Sequence, residues 1–570
     1  MVKKQEASRI VLSRRKMLQS AGLLAGAAVT TTAALRTSRA RAAMEENGKL
    51  SPFGIGGDAH SSRWIERWMP QMAAIGITMY RSANPNQIAF LDKCHMHFGC
   101  LLYGLPPGDK EPWGLPVHDL SGWRKYVINQ VKQFKGRVKY WEIWNEPPNG
   151  IGRGQTAADY AKVLNVAYEA VHAVDPDGLV GIAAKSVDIN WLYQTIKAGG
   201  RFDWITLHPY ETAGCVITHP GTEMVYLQIV KTLRKMLADL RPAQIHCPII
   251  FTELGCAAGG QWGPRLPGFT APQAQAHAVV KFYTMGIAQG VDCIEWFEGM
   301  DGDSGPMGLL EYSGKPRPAY TAYGQMVKYL GKYPKYLGWV MLDKTNYAFV
   351  FRGASRTVLI TWASSWAGSR VNFGRQVRIV NPITGHVREA AGCHLTVAPI
   401  FVDGVPENLV LQATSNKDKP FPWGGNYTNA RSVSITFGRT NVSKGLHTKS
   451  AKTVAMDVVA YGGSARSGGV PGGNVFMVDP NFLSYTSTPI EISVVVRRNQ
   501  QNSPSSIMLN YESTSGFKNT SRYDIPDNKR WYTAKWKITD SQFVNMWGFN
   551  FTMNSGSYDI KSVTVTKLDE

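Results

Sequence analysis

The chain has no CxxC pair and no HExxH, the spacings that arrange cysteine and histidine side chains around zinc. No catalytic metal is therefore expected, and no cofactor. Its seven cysteines, Cys94, Cys100, Cys215, Cys247, Cys256, Cys293 and Cys393, are odd in number and scattered, most of them in or beside apolar runs. That excludes a disulfide framework and reads as buried small hydrophobes, with room for one bridge in an oxidising compartment. Beyond residue 42 no apolar run is long enough to cross a bilayer, so no membrane span is expected in the mature chain. Clusters of Lys and Arg interleaved with aromatics are missing too, which argues against nucleic acid as a partner. Internal repeats and long low-complexity tracts are absent. Acidic residues are few, 42 Asp+Glu against 62 Lys+Arg, for a formal charge of +20 over 570 residues. Nine Lys/Arg and one Glu within the first 42 residues carry eight of those charges and leave +12 on the remainder. The body of the chain is basic without being a polycation, which suits an acidic or anionic polysaccharide.

The N-terminus reads Ser13-Arg14-Arg15-Lys16-Met17-Leu18, then an apolar, Ala/Thr-rich stretch over 21–35, then Ala40-Arg41-Ala42. It resembles a twin-arginine export signal, residues 1–42, ending in an A-x-A-like cleavage site. The stretch is too short and too weakly apolar for a spanning anchor. The mature protein is expected to be exported folded and to work in the periplasm or outside the cell.

From about residue 50 to 331, short apolar runs alternate with stretches of helical period. Candidate strands are 53–58, 77–81, 98–103, 139–145, 180–184, 204–208, 249–253 and 293–297. Candidate helices include 64–74, 122–134, 157–174, 224–240, 272–289 and 319–330, where apolar positions recur every three or four residues. Eight strand–helix units predict an α/β fold, a (β/α)8 TIM barrel over 43–335.

In such a barrel, function gathers at the C-terminal ends of the strands. The residues there are chemically rich: Asp58 and His60, Arg81, Asn145 and Glu146, His208 and Tyr210, Glu253, and Trp296. Glu146 in VKYWEIWNEPPNG and Glu253 in PIIFTELG each close an apolar strand and lie 107 residues apart. Two carboxyls facing each other across one sugar are what glycosidic bond cleavage requires.

The ordered set WEIWNEP, HPY, TELG and a strand ending in Trp resembles clan A of the glycoside hydrolases over roughly residues 50–331. Within the clan it is most similar to family 39 and family 5 type barrels. WNEP is the specific signal and TELG a moderately specific one. The resemblance implies a retaining mechanism with Glu146 as acid/base and Glu253 as nucleophile, whose carboxyls stand about 5–5.5 Å apart. It further implies that Arg81 and Tyr210 serve Glu253, that Asn145 meets the neighbouring sugar hydroxyl, and that His208 orients its neighbours. Trp296 is expected to stack on the sugar, with Trp262 and Trp113 extending the platform from loops. Asp58 and Glu298 are candidates for sugar hydroxyls; Glu295 and Glu311 are competing carboxylates at the rim. Glu142, on the face of Glu146 but deeper, is expected to be a buried ion-pair partner. Asp301 to Gly305, DGDSG, is expected to be a flexible rim loop rather than a calcium loop.

After residue 330 the helical period gives way to short alternating strands such as 347–351, 357–362 and 377–380. Residues 336–412 are expected to form a small β-sandwich beside the barrel, closed by a strand over 399–412. A polar linker over 415–429 leads to a jelly-roll-like β-sandwich, assigned to 413–570, with strands at 432–437, 454–459, 490–496, 506–511, 533–538 and 560–566. It is read either as a carbohydrate-binding module, with Trp423, Tyr427, Tyr461, Tyr511 and Trp547 as platforms, or as a structural spacer. The sequence thus predicts an exported retaining glycoside hydrolase, endo-acting on a polysaccharide or oligosaccharide. The alternatives are a non-catalytic glycan-binding or cell-envelope protein that keeps the barrel, and a transglycosylase using the same residues.

Overall fold

The computed structural model describes residues 50–106, 114–260, 263–264, 266–438, 441–448, 465–469, 474–483, 487–528, 530–544 and 547–569. The expected export signal, the expected strand at 454–459, Trp113, Trp262 and Tyr461 lie outside the described residues.

Eight parallel strands close into a barrel: β1 (Phe53–Gly56), β2 (Met79–Ser82), β3 (His97–Leu102), β4 (Val138–Ile143), β5 (Leu179–Lys185), β6 (Trp204–His208), β7 (Ile249–Leu254) and β8 (Cys293–Trp296), with β8 pairing β1. Side chains alternate along each strand, so half face the helices and half fill the interior. The outward set, among them Ile55, Tyr80, Trp141, Ile182, Leu207, Phe251 and Ile294, joins the main apolar core beneath the helices. Met79, Tyr140, Trp204, Ile250 and Cys293 form an apolar floor inside the barrel, and a polar layer lies above it. Gly54 is needed at its position because a β-carbon there would stand 2.7 Å from Cγ of Glu295.

The main crossover helices are Ile65–Ala74, Leu120–Phe134, Ala157–Val174, Ile189–Lys197, Ile229–Leu240, Ala271–Gln289 and Pro318–Leu330. Thr156 with Asp159 and Thr270 with Gln273 form reciprocal capping boxes at two of them, each contributing about 1 kcal/mol.

Strands β9 (Lys335–Trp339), β10 (Asn346–Arg352), β11 (Thr357–Ala363), β12 (Ser369–Val380), β13 (Val387–Leu395) and β14 (Ile400–Asp403) form one antiparallel sheet in the order β13-β12-β14-β11-β10-β9. Tyr347, Phe349, Phe351, Ile360, Trp362 and Phe401 join the barrel's core. Val350, Leu359, Val371, Val377 and Val402 make a second core on the other face. The strand expected over 399–412 is shorter: β14 stops at Asp403, and Glu407–Asn416 is a helix. ENLVLQA alternates poorly but places Val410 and Ala413 three residues apart on one buried face, so the helical period wins.

The C-terminal unit is a sandwich of two antiparallel sheets. One contains Ser432–Thr436, Tyr558–Lys567, Ile490–Arg498 and Tyr532–Ile538; the other contains Leu446–Thr448, Asn474–Val478, Phe551–Met553 and Leu509–Ser513. Val433, Phe476, Ile492, Trp536, Phe551 and Val563 pack between them. Two of its expected platforms face inward: Tyr511 is 8% exposed, and Trp423, 6% exposed, packs on Tyr347 and Phe349 under the second sheet. The sandwich also grips the barrel. Gln194 Nε2 donates to the Thr514 carbonyl at 3.3 Å, Cys215 Sγ to that of Gly548 at 3.7 Å, and Cys215 and Val225 share an apolar cluster with Met477 and Phe549.

Barrel and second sheet are joined by a buried polar triad. Glu223, fully buried, accepts from Lys281 Nζ at 3.3 Å and from Trp362 Nε1 at 2.9 Å. Replacing Glu223 by Ala should strand the Lys281 ammonium and cost about 3–5 kcal/mol. The check is the midpoint of thermal or urea unfolding, which should fall and be partly restored by adding Lys281→Met.

Candidate active site

The polar layer is organised by Arg81, at the end of β2 and 8% exposed. Its Nε and Nη2 donate to the two carboxyl oxygens of Glu142 at 2.6 and 2.8 Å, its Nη1 to Glu253 Oε1 at 2.6 Å, and Nη2 also to Asn145 Oδ1 at 2.8 Å. Burial alone would lower its pKa, but Glu142 and Glu253 hold it well above the ordinary arginine value. Glu142 is thus a buried ion-pair partner, 2% exposed.

Two backbone irregularities deliver the glutamates. β4 ends at Ile143, and Trp144 (φ 70°) and Glu146 (φ 51°) adopt left-handed conformations, each costing about 1–3 kcal/mol. The turn is held by Trp144 N on the Leu102 carbonyl at 2.9 Å, Trp144 Nε1 on that of Gly150 at 3.0 Å, and Lys185 N on that of Pro147 at 3.0 Å. In β7 the register shifts between Phe251 and Leu254, so the consecutive Thr252 and Glu253 both reach the interior network while Phe251 and Leu254 stay in the outer core.

The glutamates meet at the mouth. One carboxyl oxygen each of Glu146 and Glu253 and a ring nitrogen of His208 all lie within 4.8 Å of one another. The glutamate side chains are 18% and 14% exposed, whereas His208 is 1% exposed. His208 Nδ1 is 2.9 Å from Glu146 Oε1, and its Nε2 is 2.9 Å from Thr252 Oγ1. Because the Thr252 hydroxyl donates to Glu142 Oε1 at 3.3 Å, it accepts from His208 Nε2, which leaves Nδ1 and Glu146 to share one proton. Tyr210 donates to Glu253 Oε2 at 3.1 Å. Burial, followed by the charge of Glu253, holds the Tyr210 hydroxyl well above its usual pKa, so it remains a donor.

Three oxygen and nitrogen ligands at this spacing could also hold a cation. Arg81 already supplies positive charge to Glu253 at 2.6 Å, and His208 shares a proton with Glu146. The cluster is better matched to moving protons than to binding a metal.

Other expected residues are placed differently. Trp296 does not line the mouth: alternation along β8 turns it outward, fully buried, stacked on Phe282 at 6.3 Å with Nε1 on the Met307 carbonyl at 3.3 Å. Glu295 is not at the rim. It points inside the barrel, fully buried, with neither carboxyl oxygen hydrogen-bonded among the described residues, and burial raises its pKa well above the ordinary value, which favours the neutral form. Asp58, 7% exposed, caps a helix through Ser61 N at 2.8 Å and accepts from Ser304 N at 3.1 Å. Fully buried Glu298 accepts from Asp58 N, Ser61 Oγ and Gly302 N. Both carboxyls brace the rim, their acceptor positions turned to protein donors. The DGDSG segment, expected to be a flexible rim loop, is tied down as well, since Asp301 takes both Nη atoms of Arg317 at 2.6 Å. Glu311 sits in a turn closed by the Gly314 N bond to its carbonyl at 2.8 Å.

Two site residues went unforeseen in the sequence. Thr252 lies inside TELG and was legible only through the β7 bulge. Lys185 ends β5 in the run LVGIAAK, where a cation closing an apolar strand was the available signal.

A closed parallel barrel whose fourth and seventh strands deliver paired glutamates is consistent with the clan A barrel that the sequence resembles. No family model and no curated protein matches the sequence. Among solved structures, the chain is similar to a family 39 glycoside hydrolase from the gut symbiont Bacteroides cellulosilyticus WH2, with 17% identity over 62% of this chain and 81% of that one, TM-score 0.49. It is also similar to a family 30 endoxylanase from Clostridium papyrosolvens C71, with 10% identity over 62% and 96%, TM-score 0.44. A Bacteroides uniformis beta-glucuronidase aligns at 10% identity over 91% and 66%, TM-score 0.39.

Burial alone would lower the His208 pKa, but Glu253 and the hydrogen bond with Glu146 raise it above 6.5. Folding therefore favours the imidazolium. The stability this contributes is complete below the unfolded value and is lost as pH rises through the higher folded one. A His208→Gln variant should lose more melting temperature relative to the parent at about pH 5.5 than at about pH 8, as scanning calorimetry at the two pH values would show.

Proposed function

We propose that the protein is an exported retaining glycoside hydrolase that cleaves a polysaccharide or oligosaccharide by double displacement. The observation that carries this reading is the approach of the Glu146 and Glu253 carboxyl oxygens to within 4.8 Å. That separation fits direct nucleophilic capture, whereas an inverting pair stands about 6.5–9.5 Å apart to admit a water.

In the first step Glu253, its charge paired with Arg81, attacks the anomeric carbon while Glu146 protonates the departing glycosidic oxygen. The result is a glycosyl ester on Glu253 and a free leaving alcohol. In the second step Glu146, now a carboxylate, takes a proton from water; the resulting hydroxide attacks the anomeric carbon and releases Glu253. The proton taken from water restores Glu146 for the next turnover, while the contact with His208 Nδ1 at 2.9 Å holds its carboxyl in place. Asn145, fixed by Arg81, presents its amide to the sugar hydroxyl beside the anomeric centre. Endo action is favoured by the sandwich packed against one side of the mouth, and export to the periplasm or medium by the twin-arginine-like N-terminus.

Glu253→Gln should abolish turnover. Glu146→Ala should slow it by about 10²–10⁴, least for substrates with good leaving groups. Azide should restore the Glu146→Ala variant with retained stereochemistry, and NMR of the first-formed wild-type product should show retention; inversion would overturn the assignment.

A further inference from the structure

At the end of β5, beside the proposed acid/base, stands a cation that makes no ion pair among the described residues. Lys185 pairs in register with His208 on β6, and alternation with Gly181 and Ala183 directs it inward at the mouth. It is 8% exposed. Its Nζ lies 3.3 Å from Asn149 Oδ1, three residues beyond Glu146, and 3.8 Å from the ring centroid of Trp547, which the C-terminal sandwich supplies. An ammonium has three donors, and these partners are a neutral amide and an aromatic face.

The nearby carboxyls are engaged elsewhere. Glu211 Oε2 takes the Ser186 hydroxyl at 2.6 Å, and Asp188 Oδ1 takes Trp191 N at 2.9 Å. Asp188, Glu211 and Glu146 act on Lys185 through space, but burial prevails and lowers its pKa. A buried, unpaired ammonium is costly, and an arriving anion removes that cost.

We propose that Lys185, held by Asn149 and Trp547, is a subsite for an anionic oxygen group, a carboxylate or sulfate, on the glycan unit lying on the Glu146 side of the cleaved bond. The proposal rests on the glycosidase reading for its substrate class. It gives the sandwich a part in substrate selection, because Trp547 forms one wall of the subsite. Lys185 is here a binding residue with no part in proton transfer.

The test uses the full mature chain and two matched pairs of probes: a uronate polysaccharide with its carboxyl-reduced form, and a sulfated galactan with its desulfated form. Wild type should prefer the charged member of one pair, and that pair identifies the source of the anion. Lys185→Met, which keeps the stem against Trp547, should lower the charged-to-neutral ratio of kcat/KM by about ten- to a hundredfold, the worth of one charge-assisted contact. Lys185→Arg should retain most of the ratio, and Trp547→Ala should lower it without a change in fold by circular dichroism. An unchanged ratio in Lys185→Met, or a wild type indifferent to charge in both pairs, overturns the subsite. Calorimetric titration with oligosaccharides of each pair separates the two readings. Lys185-dependent binding of the charged form without turnover keeps the subsite and removes the hydrolase, whereas turnover without discrimination does the reverse.

Discussion

The site depends on one buried guanidinium. Arg81 bonds Glu142, Glu253 and Asn145 together, and so ties β2, β4 and β7 into a single electrostatic unit. Around it lie four carboxyls, Glu142, Glu146, Glu253 and Glu295, with His208 among them. One guanidinium cannot compensate four anions in a low-dielectric interior. The structure eases the excess by favouring the neutral form of Glu295 and by letting His208 and Glu146 share a proton. The roles proposed for Glu146 and Glu253 draw on that shortage of positive charge.

Much of this was legible in the sequence, for a physical reason. Strands buried on both faces read as apolar runs and their helices as a 3.6-residue period, so eight strands appear within a few residues of expectation; β6 coincides with 204–208 and the helix at 157–174 is unchanged. Arg81, Asn145, Glu146, His208, Tyr210 and Glu253 converge as the strand-end argument requires. What was illegible depends on parity. Trp296 falls on the outward register of β8, which a four-residue strand does not reveal. The helix Tyr210–Thr218 lies outside every stretch expected to be helical, and Glu407–Asn416 took helical form where a strand was expected. Local pattern gave the elements; only their pairing decided which face each side chain occupies.

The C-terminal sandwich joins these levels. Its core is its own, yet its edge reaches the barrel through Thr514, Trp547 and Gly548, all beside the segments after β5 and β6. Lys185 and His208 end those two strands, and Tyr210 begins the helix after β6. The unit that resembled an appended binding module is thus built into the wall of the mouth.

The register shift in β7 makes residue count itself part of the chemistry. Deleting one residue between Ile250 and Glu253 would restore regular pleating while leaving composition and hydrophobicity almost intact. Glu253 would stay inward, but the Thr252 hydroxyl would be lost or turned out among the helices, and His208 Nε2 would lose its partner. In any alignment of distant relatives across this strand, a single-residue gap therefore marks a pocket without that partner for His208, even where every letter of TELG survives.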